Sequence, residues 1–263
     1  MVESVLLIER EDSICTLSIN RPERRNALTA EVLLKLGDTL NSLKDDGETR
    51  VVILRGAGEK SFSAGMDLIE GSKVEPTHAG ASKPDYLQYA TESILACPRP
   101  VIAMIYGYAL ASGCDLAVAC DMRLAADTAT IGVNPAKLGL VYSRTVTQRF
   151  INLVGVCHTK ELFFTGRFID APKAKEIGLI DHVVPEGQLA TTTYALAREI
   201  AENAPLAVSA TKSIINRLIR TYQLSHEEES EIRALIEMVI GSEDLKEGFR
   251  AFAEKRKPDF KGR

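Results

Sequence analysis

Apolar residues recur along this chain first at a spacing of two, then at three to four. Cys15, Leu17 and Ile19 alternate with Thr16 and Ser18, the pattern of a half-buried strand. With the β-rich run at 4–9 they predict a hairpin around Glu11–Asp12. Thr29 then stands as an N-cap before Leu33, Leu36, Leu40 and Leu43, one face of a helix that Gly47 ends. Val51–Leu54 is continuously apolar, as in a strand buried on both faces, and Val101–Ile105 is a second such run. Between them Asp85 caps a helix carrying Leu87, Ala90 and Ile94, stopped by Pro98 and Pro100. Met122–Ala125, Thr130–Gly132 and Ile180–Val184 read as further short strands.

Later in the chain the period of a helix dominates. Ser143 caps a helix with Val146, Phe150 and Leu153 on one face; shorter helices follow over Cys157–Phe164 and Ala171–Ile177. Leu189, Thr193, Leu196 and Ile200 share a face, and Pro205 opens the next helix at its first position. Ile232, Leu235, Ile236 and Val239 form a stripe closed by Gly241, and Ser242 starts a last helix bearing Leu245, Phe249 and Phe252. The pattern predicts an α/β core domain over residues 1–190 and a helical region over 191–263. That region is amphipathic, so it packs on its own core or joins an oligomer interface.

One arrangement occurs twice. Val51–Leu54 leads into Phe62-Ser-Ala-Gly-Met-Asp-Leu68, and Val101–Ile105 leads into Gly107-Tyr-Ala-Leu-Ala-Ser-Gly-Cys-Asp-Leu116. A strand that passes through small residues into a helix turns free backbone N–H groups toward one point, where the helix dipole adds positive charge. Two such donors converging on one oxygen make an oxyanion hole. Small residues also simply permit close packing, and for either loop alone that reading stands beside the functional one. The polar segment 71–84 is either a loop that admits ligand or a solvated connector.

Composition narrows the field. The chain has 263 residues, 45% apolar and 26% charged, enough for a sizeable core. Its net charge of −4 favours no nucleic-acid partner, and aromatic and basic residues are not interleaved. No apolar run approaches the ~20 residues of a membrane span, so no membrane partner is expected. The start of the chain lacks the basic and apolar segments of a signal peptide. Five scattered cysteines without CxxC spacing suggest reduced thiols in a cytoplasmic protein. The four histidines form no metal-binding pattern, so no metal is expected. Gly56-Ala-Gly58 lacks a third glycine for a dinucleotide loop, and Ser112 has no evident histidine partner for nucleophilic work.

Taken together, the two loops resemble the signature segments of the crotonase, or enoyl-CoA hydratase/isomerase, superfamily. Asn20-Arg-Pro through Asn26-Ala-Leu28, Thr165-Gly166 with Ala174–Leu179, Ala204-Pro-Leu206 and Phe252-Ala-Glu-Lys-Arg-Lys257 extend the resemblance over nearly the whole chain. It implies a crotonase-like α/β fold of stacked ββα units, with a C-terminal helical trimerisation region that completes the CoA site. It implies an acyl-CoA thioester substrate, no cofactor beyond the CoA moiety, and a homotrimer or dimer of trimers. By position, the thioester oxygen would be held by the N–H groups of Met66 and Ser112. Ala64, Met66, Asp67 and Leu68 would line the CoA site with Arg25, Ala27 and Ser112; Phe252 and Lys255 would reach a neighbouring subunit's CoA.

The residues expected to set the reaction are where this chain departs from the pattern it resembles. Hydratases that use two carboxylates place one glutamate where Asp115 stands and the other where Pro135 stands. Asp115 is a base, a group that orients a water, or a structural helix-terminus residue. Pro135 exchanges no protons, which weakens two-carboxylate hydration. Tyr142 is the nearest substitute polar group, catalytic or a core tyrosine. Its segment, with Ser242-Glu-Asp through Gly262, resembles the family's methylmalonyl-CoA decarboxylases. The expected function is therefore an enoyl-CoA hydratase/isomerase-type lyase or isomerase that stabilises a thioester enolate. The alternatives are a methylmalonyl-CoA-type decarboxylase and, from another class, a non-catalytic acyl-CoA or RNA-binding relative.

Overall fold

The computed structural model describes residues 4–67, 85–219 and 225–261. Contacts group them into two units, one of residues 4–131 with 169–219, the other of 132–168 with 225–261.

The first unit is built on a six-stranded sheet. Strands β1 (Leu6–Glu11) and β2 (Ile14–Ile19) pair antiparallel, as the alternation predicts. The turn sits one residue later than expected, at Asp12 and Ser13, both at positive φ. β2 is buried along its whole length rather than on one face. It lies between β1 and the parallel strand β3 (Val51–Gly56), and Thr16 satisfies its hydroxyl against Tyr194 Oη at 2.8 Å. β5 (Val101–Ile105), β7 (Met122–Ala126) and β10 (His182–Val184) continue the sheet in parallel, giving the order β1-β2-β3-β5-β7-β10. Val51–Leu54 are fully buried.

Helix α1 (Ala30–Ser42) starts at the Thr29 cap, which accepts from Val32 N. It stops at Ser42, short of Gly47, and the Asp46 carboxylate then orders the turn that follows by accepting from Glu48 N and Thr49 N. α1 packs on α2 (Tyr86–Ala96), whose cap is Asp85. Two short strands, β4 (Ser61–Ser63) and β6 (Tyr108–Leu110), lie inside what the sequence suggests are plain loops. With β8 (Thr130–Gly132) and β9 (Ile169–Asp170) they form a second sheet in the order β4-β6-β8-β9. Helix α3 (Ser112–Ala119) follows β6, and α5 (Ala171–Glu176), α6 (Leu189–Ala201) and α7 (Pro205–Ile219) complete this unit. Leu189 and Ala197 of α6 pack with Ile53, Ile102 and Met104.

In the second unit, α4 (Arg144–Thr165) covers the ground of two predicted helices, joined across a break at Gly155 (φ 75°). A 3₁₀ turn at Pro135–Leu138 packs against α4 and against α9 (Glu243–Ala253), whose Ser242 cap accepts from Leu245 N. α8 (His226–Ile240) begins with a capping box between Ser225 and Glu228. Among the described residues, no helix is long and apolar enough to cross a membrane.

Candidate active site

The short parallel strands β4 and β6 explain why two loops distant in sequence meet. Ser61 is opposite Tyr108 and Ser63 opposite Ala109, while Phe62 N–H donates to Tyr106 O at 2.9 Å. Parallel strands leave in the same direction, so residues 64–67 and 111–113 emerge side by side.

Two glycines set how closely. Gly65 adopts φ +96°, a region costly for other residues, and its N–H donates to Ser63 Oγ at 3.2 Å. A Cβ built on it would lie 3.0 Å from Leu110 O and 3.4 Å from Ser112 N. A Cβ on Gly113 would lie 2.6 Å from Ser63 O. The backbone turns are thus in direct contact.

Each turn offers an unclaimed donor among the described residues. Met66 forms an isolated parallel bridge with Leu28, which bonds the residues on either side: Leu28 N–H donates to Gly65 O at 2.8 Å, and Asp67 N–H donates to Leu28 O at 2.9 Å. The Met66 N–H therefore faces away from Leu28 and has no acceptor among the described residues. Ser112 is the first residue of α3, and its cap, Ala111, offers no side-chain bond. The first intrahelical donation beyond it is Asp115 N–H to Ala111 O at 3.1 Å, so the Ser112 N–H is one of the orphan donors of a helix start. Ser112 is buried, whereas the Met66 side chain is 40% exposed.

The other expected residues fall into place unequally. Asp115 is buried at 1% exposure on the first turn of α3 and is engaged rather than free. Ala64 N–H donates to Arg25 O, and the Arg25 guanidinium lies 5.4 Å from the Tyr108 ring centroid. Ala27 is buried and its carbonyl accepts from Arg21. Asp67 forms an ion pair with Arg21 at 2.9 Å. Leu68 and segment 71–84 lie outside the described residues.

In the second unit, Pro135 is buried at the start of its 3₁₀ turn, a position that suits proline and holds no acid or base. Tyr142 is half-buried and edge-on to Phe163 at 5.4 Å, in contact with the core aromatics, and it is also engaged. Phe252 is exposed on α9. Lys255 adopts φ 54° and lines a 510 Å³ cleft with Lys137, Phe164, Lys257 and Phe260. Among the described residues no three His, Cys, Asp or Glu side chains are grouped to hold a metal.

Three further residues shape the site without standing out in the sequence. Asn26 is 1% exposed and carries the frame of the site: its Nδ2 donates to Ala57 O and Ser61 O, and its Oδ1 accepts from Arg21 N. Arg21 holds Asp67. Asn134, beside Pro135, has a buried Oδ1 with no partner among the described residues. The sequence signal for the first is an Asn within a polar loop, the residue type that best tolerates a left-handed backbone, and Asn26 does adopt φ 54°.

The enoyl-CoA hydratase/isomerase family model matches residues 9–263. This chain belongs to that family. It is 37% identical over 262 residues to the putative enoyl-CoA hydratase/isomerase YngF of Bacillus subtilis, with 100% of both chains covered. It is 35% identical to a short-chain-enoyl-CoA hydratase of Clostridium acetobutylicum, with 98% of each covered. Among solved structures, a methylmalonyl-CoA decarboxylase in complex with 2-nitronate-propionyl-CoA superimposes with a TM-score of 0.92 at 31% identity, covering 98% of this chain and 99% of that one. The fold is crotonase-like, and the chain is an acyl-CoA enzyme of the hydratase/isomerase family.

Proposed function

We propose that Met66 N–H and Ser112 N–H together bind the thioester oxygen of an acyl-CoA and stabilise its enolate in a hydratase/isomerase-type reaction. The observation that carries this is the pair of unclaimed donors on two backbone turns in contact. Addition of a water oxygen at C3 of a 2-enoyl-CoA, its proton passing to a base, or removal of a proton from C2 of a 3-enoyl-CoA places charge on the thioester oxygen. Fixed N–H groups lower that barrier by on the order of 3–4 kcal/mol per donor. CoA binding by the 25–27 and 64–68 segments holds the acyl group in register with the hole. Asp115, buried three residues beyond the Ser112 donor, is the base or the group that orients a water.

A second reading is favoured by Pro135. With no proton-exchanging group at that position, decarboxylation of a methylmalonyl-CoA-type thioester reaches the same enolate. The bond from C2 to the carboxylate breaks, CO2 leaves, and the electron pair moves onto the thioester. Tyr142 is the polar group proposed to serve that reaction.

A panel of crotonyl-, 3-enoyl- and methylmalonyl-CoA followed by mass spectrometry separates these readings. Gain of water or a shifted double bond at constant mass supports the first, and loss of CO2 the second. Acyl-CoA binding without turnover would favour a non-catalytic binder.

The finer organisation is also a proposal. We assign residues 1–190 to the core domain and 191–263 to oligomerisation and completion of the CoA site, in a cytoplasmic homotrimer or dimer of trimers with no cofactor beyond CoA. Exposed Leu206, Ile214 and Leu218 on α7, and exposed Leu235 and Met238 on α8, support a partner surface. Phe252 and Lys255 would meet a neighbour's CoA. Sedimentation of the purified protein tests the assembly.

A further inference from the structure

We infer that Arg21 is a positioning residue for the Met66 half of the oxyanion hole, acting through Asp67; this rests on the enolate reading above. An N–H donor contributes to a developing oxyanion only if its peptide plane is fixed. Residues 64–67 form a loop, so something outside it must do the fixing. The frame is the 25–28 segment, to which the loop is tied by Ala64 N–H to Arg25 O, Leu28 N–H to Gly65 O and Asp67 N–H to Leu28 O, at 2.8–3.0 Å.

That frame is itself irregular, with Arg25 at φ 51° and Asn26 at φ 54°. One nitrogen fastens it to the loop. Arg21 Nη1 donates to Ala27 O at 2.9 Å and to Asp67 Oδ2 at 2.9 Å. The side chains of this pair are 12% and 8% exposed, so the contact is shielded from water. It holds the residue directly after Met66 against the residue directly before Leu28.

Charge gives the pair a second effect. An uncompensated Asp67 carboxylate, one residue from the donor, would oppose negative charge arriving at the Met66 N–H. The guanidinium cancels it. Lysine would supply the charge, but its side chain is one bond shorter, so its ammonium falls short of the point where Nη1 meets both acceptors.

The test compares the wild-type full chain with Arg21→Lys, Asp67→Asn and the double variant Arg21→Met/Asp67→Leu. The last removes both charges and keeps volume, so it preserves folding if a single change does not. Two probes are titrated: 2-nitronate-propionyl-CoA, which carries enolate-like charge, and propyl-CoA, a thioether with no carbonyl. Wild type should prefer the nitronate strongly. The variants should lose about 10- to 100-fold more affinity for the nitronate than for propyl-CoA, so the ratio of the two affinities falls whatever the common loss in CoA binding. On the acyl-CoA that is turned over, kcat should fall by a larger factor than KM rises. If the variants keep the wild-type ratio of affinities and lose only thermal stability, the pair is structural and the inference is overturned. If wild type itself shows no nitronate preference, the oxyanion hole is overturned and the clamp with it.

Discussion

Ser63 and Gly113 meet across the two donor turns: a Cβ added at residue 113 would lie 2.6 Å from Ser63 O and 2.8 Å from Ser63 Cβ. In an ordinary helix, Gly→Ala adds about 1 kcal/mol of stability. Here Gly113→Ala should instead cost about 1–3 kcal/mol, because backbone must move. Turnover should fall about 100-fold as the donors separate. Urea unfolding and steady-state kinetics check both signs.

Ser112→Pro removes one donor at a helix position that tolerates proline, but its ring also crowds the Cβ of Ala111 at φ 51°, ψ −122°, so some loss of stability is expected as well. Turnover of the accepted acyl-CoA should be abolished even in the protein that remains folded by circular dichroism. Ser112→Ala keeps the N–H and should retain most activity. A folded, fully active proline variant would refute the role of this amide.

Asn26→Ala leaves Ala57 O, Ser61 O and Arg21 N without the side chain that bonds them. It also places alanine at φ 54°. A loss of about 3 kcal/mol is expected in chemical denaturation. Asn26→Asp should be at least as damaging, because its carboxylate would face two carbonyl oxygens.

These residues show what the sequence can and cannot convey. Capping is local, so Thr29, Asp85, Ser143 and Ser242 were legible as helix starts and each accepts the expected backbone N–H. Apolar runs likewise marked β3 and β5. The two donor turns were legible as small-residue loops after apolar strands, but the particular amides were reachable only through the family resemblance, because a main-chain N–H leaves no residue-type signature. Arg21 and Asp67 are 46 positions apart and carry no periodicity that links them. Lys212 was hidden for the same reason: it is buried, and its ammonium donates to Ile94 O, Arg99 O and Asp121. The strands β4 and β6, which align the loops, have three residues each, too few for alternation to show.

Acid stability offers a test away from the site. Backbone N–H groups of Thr49 and Glu48 lower the Asp46 pKa from 3.8 to about 2. A lowered folded-state pKa stabilises the native state above the unfolded pKa, and that contribution is lost as pH falls from about 4 through about 2. Asp46→Asn should therefore be less stable than wild type at pH 7, with the gap narrowing toward pH 2. Thermal melts across that range check the convergence.

Thiol chemistry should be confined to one position. Cys15, Cys97, Cys114 and Cys120 are buried and Cys157 is exposed. Burial pushes the Cys120 thiol up to about 12. Under native conditions a chromogenic disulfide reagent should modify one thiol per chain, and Cys157→Ser should remove it. Rapid labelling of more than one would contradict the packing around β2, α2 and α3.

Ala111 precedes the Ser112 donor with φ 51° and ψ −122°, a backbone conformation that L residues seldom occupy. Glycine would sit there without strain, so Ala111→Gly should raise stability. Glycine would also let the following amide swing through a wide arc, whereas alanine, once forced into this narrow well, is stiff. At this one position, selection for a hardier protein and selection for a faster catalyst should choose different residues.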